Sequence, residues 1–185
     1  FKADATDFST FGIGALTETL TCEVTEERNG TFECKLTYPS SGRLYTEILK
    51  DRIIKAKPND TKEAQAFRIY KISLPINGTI TIYAQHISYD LSGIGIMPFE
   101  KLATTPQLAM DYILQHATSP HNFTFQTDYS AAKDFSVLKP KSIRACLGGE
   151  EGSVLNLWGG EFEWDNFNIK QHQGRGEHTD VVIEY

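Results

Sequence analysis

LTETLTCEVTEERNGTFECKLTYP, residues 16–39, reads as two alternating strands joined at Arg28-Asn29-Gly30. Leu20, Cys22 and Val24 alternate with Thr21, Glu23 and Thr25 before the turn; Phe32, Cys34 and Leu36 alternate with Glu33, Lys35 and Thr37 after it. A period of two, with one apolar face and one wet face, is the pattern of an antiparallel pair lying over a core. Register sharpens the expectation. Opposed residues share a face, so both apolar sets point inward only when paired positions sum to an even number. A two-residue Asn29-Gly30 turn pairs Arg28 with Thr31 and sends one set to solvent. A three-residue loop pairs Glu27 with Thr31 and keeps both sets inside, with Gly30 in the left-handed position. The pattern therefore predicts the three-residue loop.

At 185 residues, 40% hydrophobic and 23% charged, the chain has ordinary globular proportions and buries about 70% of its unfolded surface. A net charge of −6 argues against a basic nucleic-acid-binding surface. No run approaches the roughly 18 apolar residues of a membrane span, so no membrane insertion is expected. With the three-residue loop, Cys22 faces Leu36 and Cys34 faces Val24. That sets the two thiols on a diagonal of about 7–8 Å, outside bridging range. Cys22, Cys34 and Cys146 are thus expected to be reduced and buried, as in a chain made in a reducing cytoplasm. Of the four Asn-x-Ser/Thr triplets, Asn29-Gly30 and Asn77-Gly78 are accounted for by turn chemistry.

Outward from the hairpin, residues 1–15 read as an extended arm, and Leu44, Ile48 and Leu49 stand at helical spacing, predicting a short helix ending near Lys50. Arg52–Lys57 reads as a strand whose Lys55 and Lys57 discourage stray edge pairing. Phe67, Ile69, Tyr70, Ile72 and Leu74, then Ile80, Ile82, Tyr83 and Ala84, form a second hairpin about Pro75-Ile76-Asn77-Gly78. Five strands with short connections by residue 90 predict a small antiparallel barrel or sandwich. Beyond Gly93-Ile94-Gly95 the pattern changes. Thr105-Pro106 opens a helix with Leu108, Ala109, Tyr112 and Ile113 on its apolar stripe. Phe123–Thr127 and Phe135–Leu138 read as strands, and Ser142 and Ser153 cap short helices that stop at paired glycines. Phe162/Trp164 and Phe167/Ile169/Gln171 form a third hairpin about Asp165-Asn166, and Thr179–Tyr185 a last strand after Gly174-Arg175-Gly176. The fold class is mainly β with an α+β insertion. Residues 1–95 are expected to be a β-barrel domain and 96–173 an α+β subdomain; 174–185 are expected to return to the barrel, with the chain stopping inside a larger protein.

The search for chemistry finds little. The five histidines lack zinc spacing, and His172 with His178 forms a pair without a third ligand. Cys146 sits among apolar residues, as a packing thiol does. Glu161 and Glu163 fall on the outer face of a strand whose inner face holds Phe162 and Trp164; a solvated face is the plain reading, a glycoside-hydrolase pair the sharper one. Trp158 and Trp164 read as core rather than as a carbohydrate platform. No catalytic, metal or cofactor-binding residue is assigned.

Several strings carry a resemblance: FSTFGIGALTETLTCEVTEERNG, RIIKAKP, FRIYKIS, YAQHISYDLSGI, KSIRACLGGEEGS and LWGGEFEWDNFNIKQHQGRG. In this order, over essentially the whole chain, they resemble the N-terminal region of the phage minor structural protein family, also labelled prophage tail endopeptidase or tail-associated lysin. Its members are similar to baseplate hub proteins. The resemblance implies a tail-tip structural protein that forms a homotrimer and docks on the ring of distal tail protein. It also implies contact with the tape-measure protein and passage of phage DNA. The virion tail tip is its place, after synthesis in the bacterial cytoplasm. Cell-wall cleavage in such proteins belongs to C-terminal domains, so no catalytic residue is carried over. The alternative is a peptidoglycan hydrolase using Glu161, Glu163 or His172. If an assembled trimer lines a conduit, the acidic balance would limit sticking of DNA. The wet face of the opening hairpin, with Glu23, Thr25, Glu33 and Lys35, is the expected assembly face.

Overall fold

The opening hairpin forms as its parity requires. In the computed structural model, which describes residues 1–174, strand β1 (Thr21–Glu26) pairs antiparallel with β2 (Phe32–Pro39), Cys22 opposite Leu36 and Val24 opposite Cys34. The Glu27 N–H donates to the Thr31 carbonyl at 2.7 Å, closing the three-residue loop. The left-handed residue is Asn29, at φ +53°, and not Gly30 as the turn chemistry suggested. Asparagine tolerates that region, and its side chain is used elsewhere, as described below.

Strands β3 (Ile53–Ala56), β4 (Gln65–Ile72) and β5 (Thr79–His86) complete a five-stranded sheet in the order β1-β2-β5-β4-β3. It curls into a half-barrel with β1 and β3 at its edges, in a mainly β fold with a few helices, as the fold class predicted. The central strands alternate cleanly. Phe32, Cys34, Leu36 and Tyr38 of β2 and Ile80, Ile82 and Ala84 of β5 are buried with Phe67 and Ile69 of β4. The second hairpin turns at Asn77 (φ +50°) and Gly78 (φ +74°), both left-handed as a tight primed turn demands.

Four expectations fail here. Cys22 and Leu20 are exposed rather than buried, because among the described residues β1 is an edge strand with no further strand against its inner face. The Cys22 and Cys34 sulfurs lie 3.8 Å apart despite their diagonal register. A bulge between Ile69 and Lys71 takes Tyr70 out of the alternation, and Leu74, beyond the strand, is exposed. The helix over 44–50 is only a 3-10 turn, Tyr45–Glu47, where Arg52 donates to the Glu47 carbonyl at 2.7 Å. So short a connection cannot repay helix nucleation.

The chain then passes through a 3-10 segment, Ile87–Ser92, into the second half. In order come β6 (Gly95–Ile96), β7 (Phe99–Thr104), α1 (Pro106–Gln115), β8 (Thr124–Thr127), β9 (Lys133–Val137), β10 (Lys141–Ser142), α2 (Ile143–Leu147), α3 (Val154–Trp158), β11 (Glu161–Asp165) and β12 (Asn168–His172). Each predicted helix start is found. Thr105, Ser142 and Ser153 accept from the Leu108, Ala145 and Asn156 N–H groups, and Pro106 occupies the first turn of α1. Leu108, placed on the apolar stripe by spacing, is exposed; Pro106, Ala109, Met110 and Ile113 are the buried residues. Phe167 precedes β12 rather than belonging to it, and Leu138 lies past the end of β9, exposed.

β11 and β12 form the predicted hairpin, and β12 also pairs in parallel with β8, Ile169 opposite Phe125. Short ladders join β7 to β9 and β6 to β10. Their side chains, from Leu91 to Ile169, make a second apolar core, and Trp164 packs against both cores. The predicted strand Thr179–Tyr185, the part of its turn beyond Gly174, and His178 lie outside the described residues.

Candidate assembly face and the contacts beneath it

The outer face of the first sheet holds the four residues singled out from sequence. Glu23 stands opposite Lys35, and Thr25 opposite Glu33. The rows continue into β5, where Tyr83 faces Lys35 and Gln85 faces Glu33. Glu23, Thr25 and Lys35 are exposed, Glu33 half-buried. In β4, Lys71 faces Tyr83 and carries its ammonium 5.2 Å over that ring, while Tyr70 lies 6.4 Å from it. Burial, with the Glu33 charge adding, pushes the Tyr70 phenol up. The surface mixes both charges with two tyrosines.

The same face is covered farther along. Phe8 of the N-terminal arm packs with Ile53, Ala66 and Ile87, and Lys55 donates to the Phe8 carbonyl at 2.7 Å. Arg68 grips Asp90 with two parallel bonds of 2.8 and 2.7 Å and also donates to the Ala3 and Asp51 carbonyls. The arm therefore occupies the β3–β4 side and leaves β1, β2 and β5 open. On the inner face, between the two sheet edges, lies an apolar hollow of about 560 Å³ bordered by Leu16, Cys22, Leu36, Ile48, Ile54 and Ile69.

Polar contacts at two places, the hairpin tip and the sheet base, fasten this sheet to the second half. At the hairpin tip, Asn29 accepts the Phe162 N–H at 2.8 Å and donates to the Gly160 carbonyl at 3.0 Å, while Arg28 meets Glu161 at 3.2 Å. At the base, Asn166 bonds to two successive residues of β4: it accepts the Ala66 N–H at 2.8 Å, and its own N–H donates to the Gln65 amide oxygen at 2.7 Å. His86, wholly buried and stacked on Phe32, reaches the Gln65 amide oxygen from Nε2 at 3.2 Å and accepts the Ser88 N–H at Nδ1. That pair of bonds fixes the Nε2–H tautomer. Burial, with the Arg144 charge adding, holds His86 down at about 3. Arg144 lies over the Tyr89 ring at 4.0 Å and the Trp164 ring at 5.2 Å, donating to the Ser88 hydroxyl. Sequence reasoning assigned Asn29 and Asn166 to turns alone. Their partners lie about a hundred residues or more away, and no local pattern announces them.

The chemical alternatives find structural uses. Glu161 is buried rather than on a solvated face and is paired with Arg28; Glu163 is held by His172 at 2.9 Å and Lys170 at 3.7 Å. Trp158 is buried with its indole N–H on the Ala131 carbonyl at 2.7 Å, and Trp164 lies beneath Arg144, so neither is a free platform. Cys146 is fully buried, and burial pushes its thiol up to about 11. Among the described residues no cluster of three or more His, Cys, Asp or Glu is placed to hold a metal, and no helix is long and apolar enough to cross a membrane.

No family model and no curated protein matches this sequence. Among solved structures the chain is similar to the prophage tail protein gp18 from Listeria monocytogenes EGD-e, with a TM-score of 0.69 and 13% identity over 92% of this chain. The match covers 49% of that protein, so the chain spans about half its length. The architecture described above is a fold shared with a prophage tail protein.

Proposed function

We propose that this chain is a structural domain of a phage or prophage tail, acting through assembly rather than catalysis. The observation that carries the reading is the shared fold with a prophage tail protein along nearly the whole chain. In this reading residues 1–95 are the barrel-like hub domain and 96–173 its α+β subdomain. The complete protein forms a trimer at the tail tip, docks on the ring of distal tail protein and meets the tape-measure protein. Phage DNA passes without sticking to its acidic surface. The open part of the outer sheet face, with Glu23, Thr25, Glu33 and Lys35, is the contact surface. Its support is that the arm covers the rest of that face and leaves these residues to solvent.

The test uses the complete gene product, mixed with its distal tail ring and sized by light scattering. Oligomers that bind the ring are expected, with Glu23→Lys/Glu33→Lys weakening the complex at least about tenfold, as like-charge contacts at an interface do. The variant's melting temperature should stay within about 4 °C of the parent, since both sites are at a strand surface. A complete protein that stays monomeric at micromolar concentration and ignores the ring refutes the reading. Unchanged assembly of the charge-reversed variant refutes the choice of face.

A further inference from the structure

Two free thiols, Cys22 and Cys34, stand diagonally across the β1–β2 ladder with their sulfurs 3.8 Å apart. Their surroundings differ. Cys22 is exposed on the edge strand beside the open hollow, whereas Cys34 is 2% exposed and packed in the first core. The hydrogen bond from Cys34 pulls the Cys22 thiol down to about 7, and the same bond together with burial pushes Cys34 far up. An accessible thiol with thiolate character, beside a shielded second thiol, is the arrangement of an attacking and a resolving cysteine. A disulfide needs the sulfurs to approach by about a further 1.8 Å. β1 is the strand able to give that distance, being paired on one side only among the described residues and half-covered on its inner face. The third thiol, Cys146, is wholly buried in the other core and takes no part.

We infer that Cys22 and Cys34 are an oxidisable pair that closes an intrachain disulfide when the folded protein meets a small-molecule disulfide, RSSR. The Cys22 thiolate attacks one sulfur of RSSR, forming a mixed disulfide and expelling RS⁻. Cys34 then gives its proton to that thiolate or to water and attacks Cys22 Sγ. The Cys22–Cys34 bond forms and the second RS⁻ leaves. Two electrons and two protons pass from the protein to RSSR, which departs as two RSH. The product is a covalent staple between the edge strand and the sheet, beside the hollow. It depends on these two strands alone and stands apart from the tail reading.

The test incubates the folded protein with oxidised glutathione at pH 8, quenches with acid and reads intact mass and peptide map. The expected product has lost two hydrogens, contains a Cys22–Cys34 cross-linked peptide and keeps Cys146 as a thiol. Cys34→Ser should stop at a stable glutathione adduct on Cys22. Cys22→Ser should slow the loss of the Cys34 thiol at least about tenfold, because the buried sulfur is no longer served by an accessible one. Retention of all three thiols in the folded wild type overturns the inference, as does a persistent adduct on its Cys22, a bond to Cys146, or only interchain dimers. The wild-type readout carries the test even where a serine variant folds poorly.

Discussion

Replacing Asn29 isolates what the hairpin tip does for the rest of the molecule. In Asn29→Ala the Phe162 N–H and the Gly160 carbonyl each lose a partner, at about 0.5–1.5 kcal/mol apiece. The Gly160 bond, being exposed, belongs at the low end. Alanine must also hold φ +53°, which costs about 1 kcal/mol more. The sum is about 2–3 kcal/mol, or roughly 4–10 °C in melting temperature for a chain of this size. Asn29→Gly removes the same bonds without the backbone cost and should lose about 1–2 kcal/mol. Asn29→Asp retains the oxygen that accepts from Phe162 and should lose least. Urea unfolding of the three variants measures the order, and amide exchange at Phe162 should accelerate in the alanine and glycine variants but not in the aspartate one. An alanine variant within about 0.5 kcal/mol of wild type refutes the clamp. Equal losses for alanine and glycine refute the backbone contribution.

His86, held neutral at about 3 inside the fold, titrates near 6.5 once the chain unfolds. The unfolded chain therefore binds the extra proton between those values. The contribution to stability is complete above pH 6.5 and lost as pH falls towards 3, by on the order of 4 kcal/mol. Chemical denaturation from pH 7 to 4 should show this slope, and His86→Phe should flatten it whatever its own stability. At Gly160, with φ +85°, an added Cβ meets the His172 carbonyl oxygen; Gly160→Ala should cost about 3 kcal/mol or more, and a thermally neutral variant contradicts that packing. Thr105→Ala removes the side-chain bond to the Leu108 N–H at the start of α1 and should cost about 1 kcal/mol in thermal melts, confined by amide exchange to that helix.

What sequence could foresee were features decided within a few residues. The parity of Cys22/Val24 against Phe32/Cys34/Leu36 dictated the loop length, and Thr105, Ser142 and Ser153 announced their helices because a cap acts on the next turn. Exposure of Cys22 and Leu20 was illegible, since it follows from which strand ends as the edge, a property of the assembled sheet. The Tyr70 bulge shifted the alternation beyond it, so Leu74 read as core and is exposed. Glu161 looked solvated by alternation, yet the tip of a distant hairpin covers it. Glu23, Thr25, Glu33 and Lys35, proposed as a contact surface, do share a face, as the register implied. The arm that covers the neighbouring part of that face was not foreseeable from its weakly patterned sequence.

The Asn29–Phe162 bond joins residues 133 positions apart, and the Gln65–Asn166 bond spans 101. Within the sheet they fasten, β1–β2, β3–β4 and β4–β5 join neighbours in the chain, and the β2–β5 ladder closes over shorter spans, from Pro39 opposite Thr79 to Glu33 opposite Gln85. Loop-closure entropy makes the near contacts early and the far ones late. During synthesis the first five strands can therefore collapse while residues 161–172 are still to come. The tip and base of the sheet stay hydrated until the last hairpin arrives and docks. A contact made after the rate-limiting step leaves the folding rate untouched and governs unfolding instead. Substitutions at Asn29 should then steepen escape from the native state with little change in the refolding arm of a chevron, which makes the clamp a latch on lifetime rather than a guide to folding.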